Sequence, residues 1–166
     1  MSGTGVAGDE PRQGELRSAQ RYALVLGVLT LLFVGRVLGQ VLALLDIGPL
    51  PPFERWSSGL VPYPLLLPLQ LALIVLMLRI VRDFATGRGF FVALSPRTGV
   101  ILMRLSYLYA LVMIVRYVVT MALHPELRYF TGTIPIWFHF VLAAFLYTLG
   151  RWQVRRGDAA AEGHAS

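Results

Sequence analysis

The chain has 166 residues, 56% of them hydrophobic and only 14% charged, and its mean hydropathy is +0.65. A soluble domain carries about 25% charged residues, and a globule of this size has too little interior to hide so much apolar surface, so the expected solvent is a bilayer. The absence of cysteine removes disulfide scaffolds and thiolate metal sites. The net charge of +6 invites a nucleic-acid reading, which the placement of the charges removes. All 15 basic residues are Arg, a chain-wide bias that fits GC-rich bacterial coding better than local recognition chemistry.

Residues 1–19 are polar and of mixed charge, and are expected to be a disordered cytoplasmic tail. The first apolar run, about 22–45, is broken only by Arg36 and Gln40. It is too long for the apolar part of a signal peptide and has no small-residue cleavage site after it. Gly35 and Gly39 form a G-x-x-x-G spacing that permits close helix approach, expected inside the chain rather than in a dimer. Asp46-Ile47-Gly48-Pro49 ends the helix. The second run, about 63–81, has Pro62, Pro64 and Pro68 clustered at its start and carries Gln70; Pro68, within the span, predicts a kink.

Ala85-Thr86-Gly87-Arg88-Gly89-Phe90-Phe91 then leads to Ser95-Pro96-Arg97, with both Phe rings expected at the membrane interface. This segment, with Arg104-Leu105 beyond it, resembles four-span bacterial membrane families in which a Gly-x-x-Phe loop and an Arg-Leu pair join the second and third helices. The resemblance covers about thirty residues, implies a four-helix fold in a bacterial membrane and supplies no activity.

The third run, about 99–123, contains Ser106, Tyr107, Tyr109, Arg116 and Thr120. The two tyrosines read as packing. The fourth, about 134–151, carries His139 near its start, and residues 158–166 read as a second disordered tail. Each run approaches the ~20 residues that cross a ~30 Å hydrocarbon core, and only helices satisfy the backbone there. The expected fold is therefore all-α, a four-helix transmembrane domain over 20–157.

Arg12, Arg17 and Arg21 flank the first run; Arg79, Arg82, Arg88, Arg97 and Arg104 border the middle connection; Arg151, Arg155 and Arg156 follow the fourth. The other two connections hold only Arg55 and Arg128. The positive-inside rule puts both termini and the middle loop in the cytoplasm, and the protein in the inner membrane. The arginines are then a topology and headgroup feature, with no nucleic acid as partner.

Arg55, Trp56, Gly59 and Pro62 before the second helix match Arg128, Tyr129, Gly132 and Pro135 before the fourth. Arg36 and Arg116 hold similar places in the preceding helices, followed four residues on by Gln40 and Thr120. This reads as an internal repeat of two tandem helical hairpins, related by an axis along the membrane normal; the alternative is that each element merely suits a helix start.

Arg36 falls roughly 13 Å and Arg116 roughly 10 Å below the outer interface at helical rise, where an Arg costs at least ~2.5–3.5 kcal/mol. Arg36, Gln40, Gln70, Arg116, Thr120 and His139 are expected to form one polar cluster in the outer half. Three readings stay open. The arginines reach up to Asp46, Glu126 or phosphates; the cluster holds an amphiphile such as a lipid or quinone; or an acid on another membrane subunit, or a second copy, completes it. His124 and His139 leave a haem or metal site conceivable, but no Gly beside either His favours a macrocycle, and no cofactor is assigned. No phosphate loop, nucleophile elbow or H-E-x-x-H motif occurs, and no carboxylate pair lies within a span. The leading expectation is a non-enzymatic membrane protein that binds a lipid or partner subunit. A haem- or quinone-binding redox subunit and an oligomeric small-solute transporter are the alternatives.

Overall fold

An apolar run longer than an ordinary core helix satisfies its backbone in lipid only as a continuous helix. The structure, a computed structural model, describes residues 9–48, 63–123 and 134–165. These form α1 (Asp9–Leu44), α2 (Tyr63–Thr86), α3 (Pro96–Leu123) and α4 (Ile134–Ala165), with no strand among the described residues. Gln13–Leu44, Pro64–Thr86 and Pro96–Leu123 are each long and apolar enough to cross a membrane. Pro68 lies within α2, which runs on through it; its missing N–H leaves the Pro64 carbonyl without an intrahelical donor.

Local chemistry sets the helix ends. At the end of α2, Gly87 N–H donates to the Phe84 carbonyl (3.2 Å) and Arg88 N–H to the Asp83 carbonyl (3.1 Å), with Gly87 at φ 63°. That is a Schellman closure on a left-handed glycine. The same pattern closes α1 on Asp46, at φ 55°, with Ile47 N–H donating to the Leu42 carbonyl (3.0 Å). Ser95 caps α3: its Oγ accepts from Thr98 N–H at 3.2 Å, and Pro96 fills the first helical position.

The buried side of α1 is a single stripe: Ala19, Ala23, Leu26, Thr30, Phe33, Val37 and Gln40, recurring every three or four residues. Met77, Ile80 and Phe84 of α2 pack into it from one side, and Phe145, Leu149 and Trp152 of α4 from the other. In lipid, such packing gains from van der Waals contact rather than from removal of water. α1 thus pairs with α2 and with α4, and α3 pairs with α4. The resulting row is α2–α1–α4–α3, and its two ends, α2 and α3, form no comparable packed pair among the described residues.

Neighbours run antiparallel. Gln40 meets Gln70 while Leu16 meets Gly87; Gly99 meets Gly150 while Tyr109 meets His139. The close approach is between α3 and α4, where a Cβ on Gly99 would lie 2.7 Å from the Gly150 carbonyl oxygen, and the converse distance is also 2.7 Å. Gly35, expected to serve internal packing, is instead exposed, with nothing within 4 Å of an added Cβ. It lies off the buried stripe of its helix.

Of the two stretches expected as tails, 9–19 belongs to α1 and 158–165 to α4; 1–8 and 166 lie outside the described residues. The start of α1 packs against α4. Arg156 Nε donates to Glu15 Oε1 at 2.9 Å, and Tyr22 meets Trp152 edge-on at 5.2 Å. Ala19 is buried beneath them. Extending an existing helix costs far less than nucleating one, and Ala159-Ala160-Ala161 favours it. The same end of α4 fastens the α2–α3 loop. Trp152 Nε1 donates to the Val92 carbonyl (3.2 Å), Arg156 Nη1 to the same oxygen (3.0 Å) and Gln153 Nε2 to the Phe91 carbonyl (2.6 Å). Of the two Phe rings expected at the interface, Phe90 is exposed, whereas Phe91 turns in against the core.

Candidate functional site

Polar side chains within the apolar helices have to find partners locally. Thr30 does so by donating to the Leu26 carbonyl of its own helix at 2.7 Å. Arg36 cannot accept, so its Nη1 donates to Gln40 Oε1 one turn on, at 3.0 Å. This fixes the Gln40 amide with its oxygen toward the guanidinium. The same oxygen receives Gln70 Nε2 of α2 at 3.2 Å, which fixes the second amide in turn. Two buried polar atoms remain without a hydrogen bond, Gln40 Nε2 and Gln70 Oε1. The guanidinium also lies over the Phe138 ring of α4, 5.5 Å from its centre. Arg36, Gln40 and Gln70 are 8%, 0% and 7% exposed, so the group is built into the bundle rather than laid on its surface.

Beside it, the Tyr109 hydroxyl of α3 is hydrogen-bonded to His139 Nδ1 of α4. Between the two polar pairs lies a cavity of about 480 Å³. Arg36, Gln70, Tyr109 and His139 give it polar groups; Phe33, Leu69, Leu73, Leu76, Phe138 and Leu142 are part of its apolar wall. All four helices contribute, and the cavity occupies the region that α2 and α3 leave between them. Its volume falls within the ~300–1,000 Å³ usual for ligand pockets, and few polar groups on an apolar wall is their usual chemistry.

Of the expected cluster, Arg36, Gln40, Gln70 and His139 come together on α1, α2 and α4. Arg116 and Thr120 do not join them: both are half-buried on α3 and neither lines the cavity. Tyr109, read from sequence as packing, supplies the α3 contribution instead. The signal that identifies it is the glycine crossing. Once Gly99 faces Gly150, antiparallel register carries Tyr109 to the level of His139.

In the repeat motif, Arg55, Trp56, Gly59, Pro62, Arg128, Tyr129 and Gly132 lie outside the described residues, as does His124; Pro135 falls in the first turn of α4. Among the described residues, no three His, Asp or Glu side chains gather at metal-binding distance. No family model, curated protein or solved structure matches the chain.

Proposed function

We propose that the chain is a four-span inner-membrane protein, built as two tandem hairpins, that admits a lipid-like amphiphile from the bilayer into the cavity between α2 and α3. The observation that carries this reading is the cavity itself: an apolar wall with hydrogen-bonding groups, beside the open edge of the helix row. A ligand with a hydrocarbon body and a hydrogen-bonding head matches both halves, with Arg36 and Gln70 at the head. α4 is the fourth span, since Ile134 to Gly150 carries no formal charge and extends roughly 25 Å at helical rise. Its modest length suits a slight local thinning of the bilayer.

Orientation follows from the shared end. The start of α1, the α2–α3 loop and the end of α4 meet there, through Glu15–Arg156 and Trp152–Val92. Arg17, Arg79, Arg82, Arg88 and Arg155 belong to the same end, which is therefore cytoplasmic. A quinone is one amphiphile of this class, and the Tyr109–His139 pair offers hydrogen bonding for a ring carbonyl.

Gentle purification followed by native mass spectrometry and lipid extraction tests the reading. The expected result is about one retained amphiphile per wild-type chain. Leu73→Trp, which fills the wall, should remove it while the protein stays monodisperse and helical. Undiminished retention by that variant overturns the cavity assignment. An ultraviolet redox difference spectrum of the extract separates a quinone from a phospholipid.

A further inference from the structure

The cytoplasmic end of α2 carries a second, chemically different recess. Arg79 and Arg82 project from the last turns of α2, and Arg88 follows it on the loop. The three would not meet if the chain ran straight on. The Schellman closure at Gly87 turns it back, and the loop is then held on both sides. Asp83 Oδ2 accepts from Phe91 N–H at 3.3 Å, and Thr86 Oγ1 donates to the Arg82 or Arg88 carbonyl at 3.0 and 3.2 Å. A Cβ on Gly89, at φ 129°, would strike the Asp83 carboxylate, so the fold of this loop is specific to its sequence.

The outcome is a groove of about 860 Å³ lined by Arg79, Arg82, Arg88, Thr86, Leu78 and Val75 among others. All three arginines are exposed. The Asp83 carboxylate, the acid in the lining, is engaged with the Phe91 N–H. The groove thus presents an excess of positive charge. Below it, Val75 and Leu78 are 67% and 52% exposed and continue the same side of the helix one turn toward the bilayer centre. Guanidinium groups at the water end and bare aliphatic side chains beneath reproduce the order of a phospholipid, phosphate above and acyl chain below.

We propose that this groove binds the headgroup of one anionic phospholipid of the cytoplasmic leaflet, its phosphate held by Arg79, Arg82 and Arg88 and its chain lying on Leu78 and Val75. Arginine suits the task because its planar donors match phosphate oxygens. The assignment rests on the membrane reading above but not on the cavity, which lies elsewhere in the bundle and has different lining residues.

The test is native mass spectrometry of the full chain titrated with dioleoyl phosphatidylglycerol or dioleoyl phosphatidylcholine. Wild type should take its first anionic lipid well before the zwitterionic one. The triple variant Arg79→Gln, Arg82→Gln, Arg88→Gln should lose that preference by roughly 100-fold, about fivefold per arginine at an anionic surface. A charge-matched control, Arg17→Gln, Arg97→Gln, Arg155→Gln, removes exposed arginines outside the groove and should keep the preference. If the groove triple fails to fold, the single loop variant Arg88→Gln is read in its place, with roughly fivefold loss expected. Leu73→Trp should leave the preference intact even while it empties the cavity, so the two assignments fail separately. Equal loss in groove and control triples, equal binding of both lipids by wild type, or displacement of the lipid by inorganic phosphate overturns the proposal.

Discussion

A guanidinium has only donors, and that one fact orders the polar centre of this protein. Arg36 sets the orientation of Gln40, and Gln40 sets that of Gln70. The two amides are therefore not equivalent. Gln40 Oε1 serves two donors, one of them charged, whereas Gln70 gives one hydrogen bond; each amide also keeps one unpartnered buried atom, Gln40 Nε2 and Gln70 Oε1. Gln40→Leu should cost about 2 kcal/mol, because it takes an acceptor from a buried cation. Gln70→Leu should cost less than about 1 kcal/mol, since it loses one bond between neutral groups and leaves Arg36 its acceptor on Gln40. Denaturant titration in micelles, followed by circular dichroism, compares the two; equal losses would show that the orientation chain is wrong.

Among the elements, the α3–α4 pair depends on two glycines and the α1–α2 pair on an apolar stripe. Gly99 and Gly150 place backbone against backbone, with carbonyl oxygens where side chains would otherwise begin. Gly150→Ala should therefore force the helices apart and destabilise by about 1–3 kcal/mol, the usual cost of overpacking. It should also loosen the Tyr109–His139 contact that this register creates. Gly35→Ala, facing open space, should be neutral or slightly stabilising through helix propensity. Thermal unfolding of both variants in one detergent decides it. The G-x-x-x-G spacing at Gly35 and Gly39 is visible in the sequence, yet the close contact is made by glycines on two different helices, which no spacing within one helix reveals.

For the whole molecule, the decisive feature is an unclosed row of helices. α1 and α4 fill the middle, α2 and α3 stand at the ends, and the cavity lies where a closed bundle would place side chains. The start of α1 and the end of α4 are tied together, but not through their ion pair. Arg156 and Glu15 are 42% and 52% exposed, so that bridge is worth little, and buried Ala19 and Trp152 with the loop hydrogen bonds do more. The proposed topology is open to direct measurement because the chain contains no cysteine. Single variants Thr86→Cys and Ala160→Cys should react with a membrane-impermeant thiol reagent only from the cytoplasmic side, and Ser57→Cys only from the opposite side. Labelling of Thr86→Cys from outside intact cells would refute the orientation.

The apolar runs by themselves determined that the described chain is helical and where its long apolar stretches lie, because backbone satisfaction and hydrophobic length are local properties. Arg36, Gln40, Gln70 and His139 were legible as a group because a polar side chain in such a run stands out against its neighbours. Only the tertiary structure decided that Tyr109 belongs with them and that Arg116 and Thr120 do not line the cavity. Membership depends on the azimuth and register of one helix against another, which the Gly99–Gly150 crossing fixes between distant parts of the chain. The stretch 9–19 is helical for the same reason: its composition alone is polar, and its contacts are with the far end of the chain, through Glu15 and Arg156.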